Sequence, residues 1–235
     1  MIIAANFKAN MTRATSKEYI EKVNNFSQSL SQDIYIFPPA TALDTFDTNI
    51  NVGSQNAYSA QNGAFTGETA LEQLEEFGID TILIGHSERR HVLKETQEDI
   101  ARKFAFYKEK NFKIIYCVGE TLEIRESGNS IMMKYILDQF TDIDVTYTNL
   151  VIAYEPVWAI GTGLTPTDLD IELIHTAIKQ EVEKPLLYGG SVKVDNAKTI
   201  LALNNVDGIL VGSAALKVDD FCSMIRDAQD IEDNN

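Results

Sequence analysis

The 235-residue sequence contains little cysteine, one tryptophan and no long apolar run. Its two cysteines, Cys117 and Cys222, lie far apart without metal-ligand spacing, so we expect two thiols and neither a disulfide framework nor a zinc site. No apolar run reaches the roughly 18 residues of a membrane-spanning helix, which predicts a soluble protein without a membrane partner. The N-terminus lacks the basic segment and cleavage site of a signal peptide, so a cytoplasmic protein is expected.

Basic residues are also scarce, with 20 Lys and Arg against 35 Asp and Glu and a formal net charge of −15. This balance argues against a nucleic-acid partner, because phosphate backbones select basic surfaces. If the ligand is an anion, a lysine, helix N-termini and backbone N–H groups must hold it against an unfavourable overall field. A few positions should therefore contribute most of the binding of such an anion.

What the sequence does contain is a series of short β-branched or aromatic runs, each followed by a polar, helix-compatible segment. These runs predict eight strands: Ile2–Phe7, Ile34–Phe37, Asn51–Gln55, Thr81–Ile84, Lys113–Val118, Leu150–Tyr154, Leu186–Tyr188 and Gly208–Val211. Strands that are apolar along their whole length are typical of a parallel sheet buried on both faces.

The segments between the strands have amphipathic spacing and predict helices. The longer ones are Lys17–Leu30, Thr96–Lys110, Ser130–Gln139, Asp168–Val182 and Val194–Leu203, and the short ones are Ala40–Phe46, Thr69–Phe77 and Phe221–Ala228. The pattern predicts an α/β protein folded as a closed (β/α)8 barrel in a single domain over 1–235, with an acidic tail, Asp227–Asn235, that frays. An open doubly wound sheet is the alternative, and periodicity alone fits it too.

Polar and small residues follow the predicted strands, at the end of a parallel barrel where catalytic groups lie. In chain order they are Asn6, Lys8, His86, Ser87, Glu88, Glu155, Gly189, Gly190, Ser191, Gly212 and Ser213. Alternation along the first strand should point Asn6 and Lys8 to the same face. Glu155 ends an apolar run, and Pro156 keeps it out of a helical conformation. A solvated loop glutamate is the alternative to a catalytic carboxylate, and His91 and His175 are expected on the surface.

Seven segments carry a family resemblance: NFKAN near the start, NGAFTGE (62–68), GHSERR (85–90), CVGE (117–120), AYEPVWAIGTG (153–163), YGGSV (188–192) and DGILVGSAAL (207–216). In these motifs, and in their order, the chain resembles triosephosphate isomerases from end to end. The resemblance implies a TIM barrel that interconverts dihydroxyacetone phosphate and D-glyceraldehyde 3-phosphate through an enediolate, without cofactor or metal. The associated processes would be glycolysis, gluconeogenesis and the pentose phosphate pathway.

The resemblance also implies roles for the strand-end residues. Glu155 would remove a proton from the carbon next to the carbonyl, with its basicity raised by partial desolvation. His86 would be the neutral electrophile known in this family, with its pKa lowered by the helix that begins at Ser87. Lys8, beside Asn6, would meet the negative charge of the phosphate and of the enediolate.

Other residues would support these groups. Glu88 would pair with Lys8 in the empty site, or would simply be a favourable charge at a helix start. Cys117 is expected beside the site, with small-residue core packing as the simpler interpretation. The phosphate would be held by backbone N–H groups in turns, although glycine-rich turns alone are weak evidence. The residues concerned are Gly189, Gly190, Ser191, Gly212, Ser213 and Gly161.

Two further segments resemble a mobile segment and a subunit-contact segment of the proteins in this family. One is a lid that closes over the substrate, formed by Pro156, Val157, Trp158, Ala159, Ile160, Gly161, Thr162 and Gly163. For Trp158, simple core packing is the alternative. The other is the long loop Gln55–Glu68, in which Phe65 and Thr66 would insert into a partner subunit, so a homodimer is implied. A surface excursion is the alternative there.

The sequence departs from the family pattern at several places. Ser213 replaces a second glycine, which requires an allowed φ, and Lys94 stands where glycine is usual. Residues 164–166 form an unusual far hinge of the lid. The segment between GTG and YGGS is short by roughly ten residues, which should shorten a helix or loop of the outer layer.

A phosphate-binding barrel with a regulatory role is a second hypothesis, but such a protein would need no catalytic base. A lyase would predict a Schiff-base lysine ending the sixth strand, and none is there.

Overall fold

The structure is a computed structural model that describes residues 1–160 and 164–234. Its centre is an eight-stranded parallel sheet: β1 Ile2–Asn6, β2 Asp33–Phe37, β3 Asn51–Val52, β4 Thr81–Ile84, β5 Lys113–Val118, β6 Leu150–Tyr154, β7 Leu186–Tyr188 and β8 Gly208–Val211. The strand order is β3-β2-β1-β8-β7-β6-β5-β4. The five predicted strands from β4 to β8 are confirmed to the residue.

The sheet closes between β3 and β4. Ser54, just after β3, forms a parallel bridge with Ile82. The Ser54 N–H donates to the Thr81 carbonyl and the Leu83 N–H donates to the Ser54 carbonyl, each at 2.9 Å. These bonds pair the two ends of the sheet, so the (β/α)8 barrel is confirmed and the open doubly wound alternative is wrong.

Helices surround the barrel, with bounds α1 Arg13–Ser27, α2 Leu71–Glu76, α3 Ser87–His91, α4 Gln97–Glu109, α5 Leu122–Glu126, α6 Asn129–Asp138, α7 Asp168–Glu181, α8 Val194–Leu201 and α9 Val218–Glu232. Short 3-10 helices lie at Ala40–Ala42, Val157–Ala159 and Ser213–Leu216. Helix α1 begins four residues before its predicted start, because the Thr12 hydroxyl accepts the Thr15 N–H and caps it. Residues 182–185 alone join α7 to β7, so this connection is short.

The acidic tail differs from the prediction. Helix α9 continues through Glu232, so residues 227–232 are helical where fraying was expected. The Glu232 carboxylate pairs with the N-terminal amine of Met1 and accepts a hydrogen bond from Gln32 Nε2 at 2.8 Å. These contacts tie the end of α9 to the amino ends of β1 and β2.

Alternation along each strand separates two apolar layers. Ile2 and Ala4 of β1 face the barrel interior with a small inner cluster, whereas Ile3 and Ala5 belong to the larger layer between strands and helices. This outer layer also contains a buried histidine. His175 on α7 is fully buried, so its predicted surface position is wrong: it follows the apolar stripe of α7 and its Nδ1 lies 2.9 Å from the Asn205 carbonyl. His91 is half-buried.

Candidate active site

The carboxyl ends of the strands open into a cavity of about 400 Å³. Its lining contains nearly all the predicted strand-end residues: Asn6, Lys8, His86, Glu155, Gly189, Gly190, Ser191, Gly212 and Ser213. Lys193 and Lys217 also line it, although the sequence interpretation assigned them no role. Both lysines are exposed, and each follows one of the two turns of small residues, GGSV and GSAAL. This shared position is the sequence feature that could have indicated a role in the site.

Glu155 and His86 are in direct contact in this cavity. Oε1 of Glu155 lies 3.0 Å from Nε2 of His86, and Oε2 accepts the backbone N–H of Ser87 at 2.8 Å. Both side chains are buried, with 2% of Glu155 and 6% of His86 exposed. Ser87 therefore supports the site through its backbone N–H.

The pKa of Glu155 differs in direction from the sequence-based expectation. Burial alone would raise it, but the contact with His86 and the Ser87 N–H outweigh burial and lower the pKa of Glu155. Burial would lower the pKa of His86, but Glu155 raises it overall. The two groups thus stabilise each other's charged forms, and that mutual effect lasts only while they touch.

The tautomer of His86 follows from its second nitrogen. His86 is the N-cap of α3, and its Nδ1 accepts the Glu88 N–H at 3.2 Å. An accepting Nδ1 carries no proton, so the neutral ring has its proton on Nε2, which faces Glu155. A capping histidine and an electrophilic histidine are therefore compatible at this position.

Lys8 lies beyond the end of β1 and has a left-handed backbone with φ of +52°. This conformation is unfavourable for a residue with a side chain. Two amides hold it: the Lys8 N–H donates to Asn6 Oδ1 at 2.9 Å, and Gln55 Nε2 donates to the Lys8 carbonyl at 2.8 Å. Lys8 Nζ is 2.7 Å from Glu88 Oε1, so the ion pair considered from the sequence is present in the structure.

Glu155 packs against two glycines, against Gly119 through its main chain and against Gly189 through its side chain. A Cβ on Gly119 would lie 1.8 Å from the Glu155 carbonyl oxygen, and a Cβ on Gly189 would lie 3.0 Å from Glu155 Cγ. Glu155 N–H donates to the Val118 carbonyl at 2.8 Å. The close approach of the Glu155 backbone requires glycine at position 119, and the tighter fit at Gly189 leaves little room for a side chain beside the carboxylate.

The two turns predicted to bind phosphate, at residues 189–191 and at residues 212–213, differ in which backbone N–H groups are not already hydrogen-bonded within the protein. Gly189 N–H is used, because it donates to the Tyr154 carbonyl at 2.7 Å. Within residues 1–160 and 164–234, no hydrogen bond engages the N–H groups of Gly212 and Ser213. Ser213 begins a 3-10 helix without a positive φ, so the side chain at this position is compatible with the turn. Lys94, by contrast, does take the glycine-like conformation, with φ of +59°.

The first part of the predicted lid is anchored by a buried carboxylate that the sequence interpretation missed. Trp158 Nε1 donates to Glu120 Oε1 at 2.8 Å, and the Val157 N–H donates to the Glu120 carbonyl at 3.0 Å. Arg125 lies over the Trp158 ring at 4.7 Å. Pro156 and Ala159 are buried and Ile160 lines the cavity, whereas 161–163, with Gly161, Thr162 and Gly163, lie outside the described residues. Glu120 is the last residue of the CVGE motif, and an acidic residue directly after an apolar strand is the sequence feature that could have identified it.

The second arginine of GHSERR also holds strand ends. Arg90 Nε donates to the Gly85 carbonyl at 2.7 Å, and its Nη2 donates to the Cys117 carbonyl at 3.2 Å. These bonds connect the ends of β4 and β5 below His86. Cys117 itself is fully buried inside the barrel, and burial raises the pKa of its thiol well above the usual value.

Phe65 and Thr66 lie outside the cavity, on the long loop after β3. Phe65 packs on Tyr58 with ring centroids 4.1 Å apart and remains 39% exposed, and Thr66 is exposed. A second hollow of about 360 Å³ lies beside Lys8, between this loop and α3. In the described part of the chain, no cluster of three acidic, His or Cys side chains is arranged to hold a metal ion, and no helix is long and apolar enough to cross a bilayer.

Comparison with known proteins agrees with this geometry. A family model described as triosephosphate isomerase matches residues 1–228. The triosephosphate isomerase of Sulfurimonas denitrificans is 59% identical over 237 residues, covering 100% of this chain and 99% of that protein. Those of Sulfurovum sp. and Helicobacter pylori are 53% and 45% identical, over 96% and 95% of this chain and 99% and 97% of their own lengths. The chain therefore belongs to the triosephosphate isomerase family, and it is an isomerase.

Proposed function

We propose that Glu155 is the base with which this enzyme interconverts dihydroxyacetone phosphate and D-glyceraldehyde 3-phosphate. It would take a proton from the carbon next to the carbonyl, which leaves an enediolate and a carboxylic acid whose proton can exchange with water. The acid would then protonate the neighbouring carbon. The observation that carries the proposal is the buried contact of Glu155 with His86 in the cavity that also contains Lys8. In this structure Ser87 N–H and His86 hold the carboxylate, so it must leave both to reach a substrate.

His86 is the proposed electrophile. Its Nε2 proton faces the cavity while Nδ1 is held by the Glu88 N–H, so it can donate to the substrate carbonyl oxygen. When Glu155 moves away, the influence that raised the pKa of His86 is lost, and burial favours the neutral ring. A neutral donor stabilises the developing oxyanion. Because the carbonyl moves to the neighbouring carbon, the hydroxyl proton must also pass from one enediolate oxygen to the other, and His86 Nε2 is the group placed to donate and take back a proton there.

Lys8 is proposed to supply the positive charge for the phosphate and the enediolate. Its Nζ lies near Gly212, where a Cβ would come within 3.8 Å of that nitrogen. The Gly212 and Ser213 N–H groups would bind phosphate oxygens, with Asn6, Gly190 and Ser191 completing the cavity wall. Binding an anion there requires Lys8 to exchange its Glu88 partner for the ligand.

We also propose that 156–163 form a lid. The support is the family resemblance and the hydrogen bonds that hold the first residues of this segment to Glu120. Val157 and Trp158 are fixed to Glu120, and Ile160 reaches the cavity lining. A segment fixed at this point and continuing through Gly161, Thr162 and Gly163 would cover the substrate and exclude water from the enediolate.

A homodimer is also proposed, with the loop carrying Phe65 and Thr66 inserted into the partner subunit. The hollow beside Lys8 has the position that such a loop would need, next to the candidate active site. The partly exposed Phe65 ring would be covered by the same contact. We place the enzyme in the cytoplasm, in glycolysis, gluconeogenesis and the branch shared with the pentose phosphate pathway.

The proposed chemistry is tested by running the reaction in D₂O. In a coupled assay with D-glyceraldehyde 3-phosphate, the purified protein should turn over and its product should carry deuterium next to the carbonyl. Product formed without any deuterium would contradict transfer through a carboxylic acid that exchanges its proton with solvent.

A further inference from the structure

The amide of Gln139 holds Gly119 from two sides. Gln139 is the C-cap residue of α6 and is 8% exposed. Its Oε1 accepts the Gly119 N–H at 3.1 Å, and its Nε2 donates to the Gly119 carbonyl at 2.8 Å. A side-chain amide combines a donor and an acceptor in one rigid plane, so it fixes both backbone groups of this glycine together.

Gly119 is the residue on which the main chain of Glu155 rests. The space for a Cβ on Gly119 is occupied by the Glu155 carbonyl, and the Glu155 Cα would lie 3.3 Å from such a Cβ. Hydrogen bonds flank this contact, from the Glu155 N–H to Val118 and from the Val157 N–H to Glu120. A shift of Gly119 would therefore shift the backbone of Glu155.

Gln139 is itself held from the side away from the cavity. Its carbonyl accepts hydrogen bonds from the Tyr116 hydroxyl and from Gln97 Nε2, the latter at 2.8 Å. Gln97 is in turn bound by Arg90 Nη1 at 2.8 Å. Gln139 does not line the cavity, and the bonds of its side-chain amide nearest to the site are the two to Gly119.

We propose that Gln139 is a positioning residue, which fixes the Glu155 backbone for proton transfer by clamping Gly119. The proposal rests on the role of Glu155 as the base. When the Glu155 carboxylate leaves Ser87 and His86 for the substrate, its main chain becomes its principal anchor. Proton transfer needs the base within hydrogen-bond reach of the proton, and small displacements are costly.

The test is Gln139→Met, which keeps the length and approximate volume of the side chain but removes the amide. We expect kcat to fall about 10- to 100-fold, the size of effect that a misplaced group produces. The inhibition constant for inorganic phosphate should change by less than about twofold, because that ligand needs no base. Glu155→Gln is measured in parallel.

Gln32→Met is the matched control. Gln32 is another buried amide, but it lies before β2 at the opposite end of the barrel, where its Nε2 binds Glu232. This variant should lose thermal stability and keep its kcat. Unchanged kcat in Gln139→Met would overturn the proposal, and so would a kcat loss that Gln32→Met shares or one matched by weaker phosphate binding.

A second variant covers the case in which Gln139→Met does not fold. Gln139→Asn keeps the amide on a side chain one methylene shorter, which cannot reach both backbone groups of Gly119 at their present distances, so a smaller fall in kcat with intact phosphate binding is expected. Unchanged kcat in this variant would overturn the proposal. Failure of the base assignment would look different, because Glu155→Gln itself would then turn over normally.

Discussion

Nε2 of His86 lies 3.0 Å from Oε1 of Glu155, so the two groups proposed to act on the substrate bind each other in this structure. The same carboxylate also accepts the Ser87 N–H. This arrangement keeps a buried carboxylate ionised, because both contacts lower its pKa. Substrate binding must replace these contacts.

Lys8→Met should weaken the binding of inorganic phosphate and lower kcat together, because one charge serves both the phosphate and the enediolate. We expect a loss of about tenfold or more in phosphate affinity, as for a charge-assisted hydrogen bond. Calorimetric titration with phosphate measures it. Lys22→Met, at an exposed lysine paired with Glu18, is the control for net charge and should leave the affinity unchanged. Equal losses in both variants would contradict a local role for Lys8.

Trp158→Phe should destabilise the fold by about 2 kcal/mol, because it removes a donor from a fully buried carboxylate. Burial already raises the pKa of Glu120, and the loss of this donor should raise it further. Urea unfolding measures the change in free energy. Tyr147→Phe removes a bond of 2.7 Å to the neutral Phe112 carbonyl and should cost about 1 kcal/mol. A smaller loss for Trp158→Phe than for Tyr147→Phe would contradict the anchoring role of Glu120.

His175 should make the protein less stable in mild acid. Burial lowers the pKa of His175 from 6.5 to about 4, so the unfolded chain binds this proton first as the pH falls. Its contribution is fully present above pH 6.5 and is lost as the pH falls towards 4, by about 3 kcal/mol in total.

The measurement for His175 is urea unfolding across this pH range. His175→Gln cannot take up the proton and should flatten the slope of unfolding free energy against pH. The half-buried His91 gives the comparison, because His91→Gln should flatten the slope less. An unchanged slope in His175→Gln would contradict this account.

In solution, light scattering should give twice the 26.2 kDa mass of the chain if the homodimer forms. Thr66→Arg should shift the mass towards the monomer, because a bulky charge at the loop tip would not fit into a partner. Thr199→Arg, at an exposed position on α8, is the control and should leave the mass unchanged. A mass near 26.2 kDa for the unmodified protein at micromolar concentration would rule out the dimer proposed here.

The sequence predicted the strands well because their apolar runs have clear limits. Runs such as Leu150–Tyr154 are buried along their whole length, and polar residues or turns bound them. Strand β3 is the exception, because only Asn51 and Val52 form a ladder before Gly53 and Ser54 turn to close the barrel. Closure depends on a contact between distant segments, which local periodicity does not contain.

The cavity-lining residues that follow strands directly were predicted, whereas Lys193, Lys217 and three supporting residues were not. Glu120, Arg90 and Gln139 each act on a backbone or an indole that is distant in sequence or belongs to another element. Nothing in the local pattern around Gln139, at the end of an amphipathic helix, distinguishes it from a surface glutamine. His175 was misassigned because its polarity was given more weight than its place on the apolar stripe of α7, four residues after Ile171 and three before Ile178.

The base assignment is tested most directly by comparing kcat with phosphate affinity in Glu155→Gln. The amide keeps the size of the carboxylate and can still accept the Ser87 N–H, so the fold and the binding of inorganic phosphate should be retained. Loss of the base should lower kcat by about 10²–10⁴ or more. Near-normal turnover in a folded, phosphate-binding variant would contradict the account.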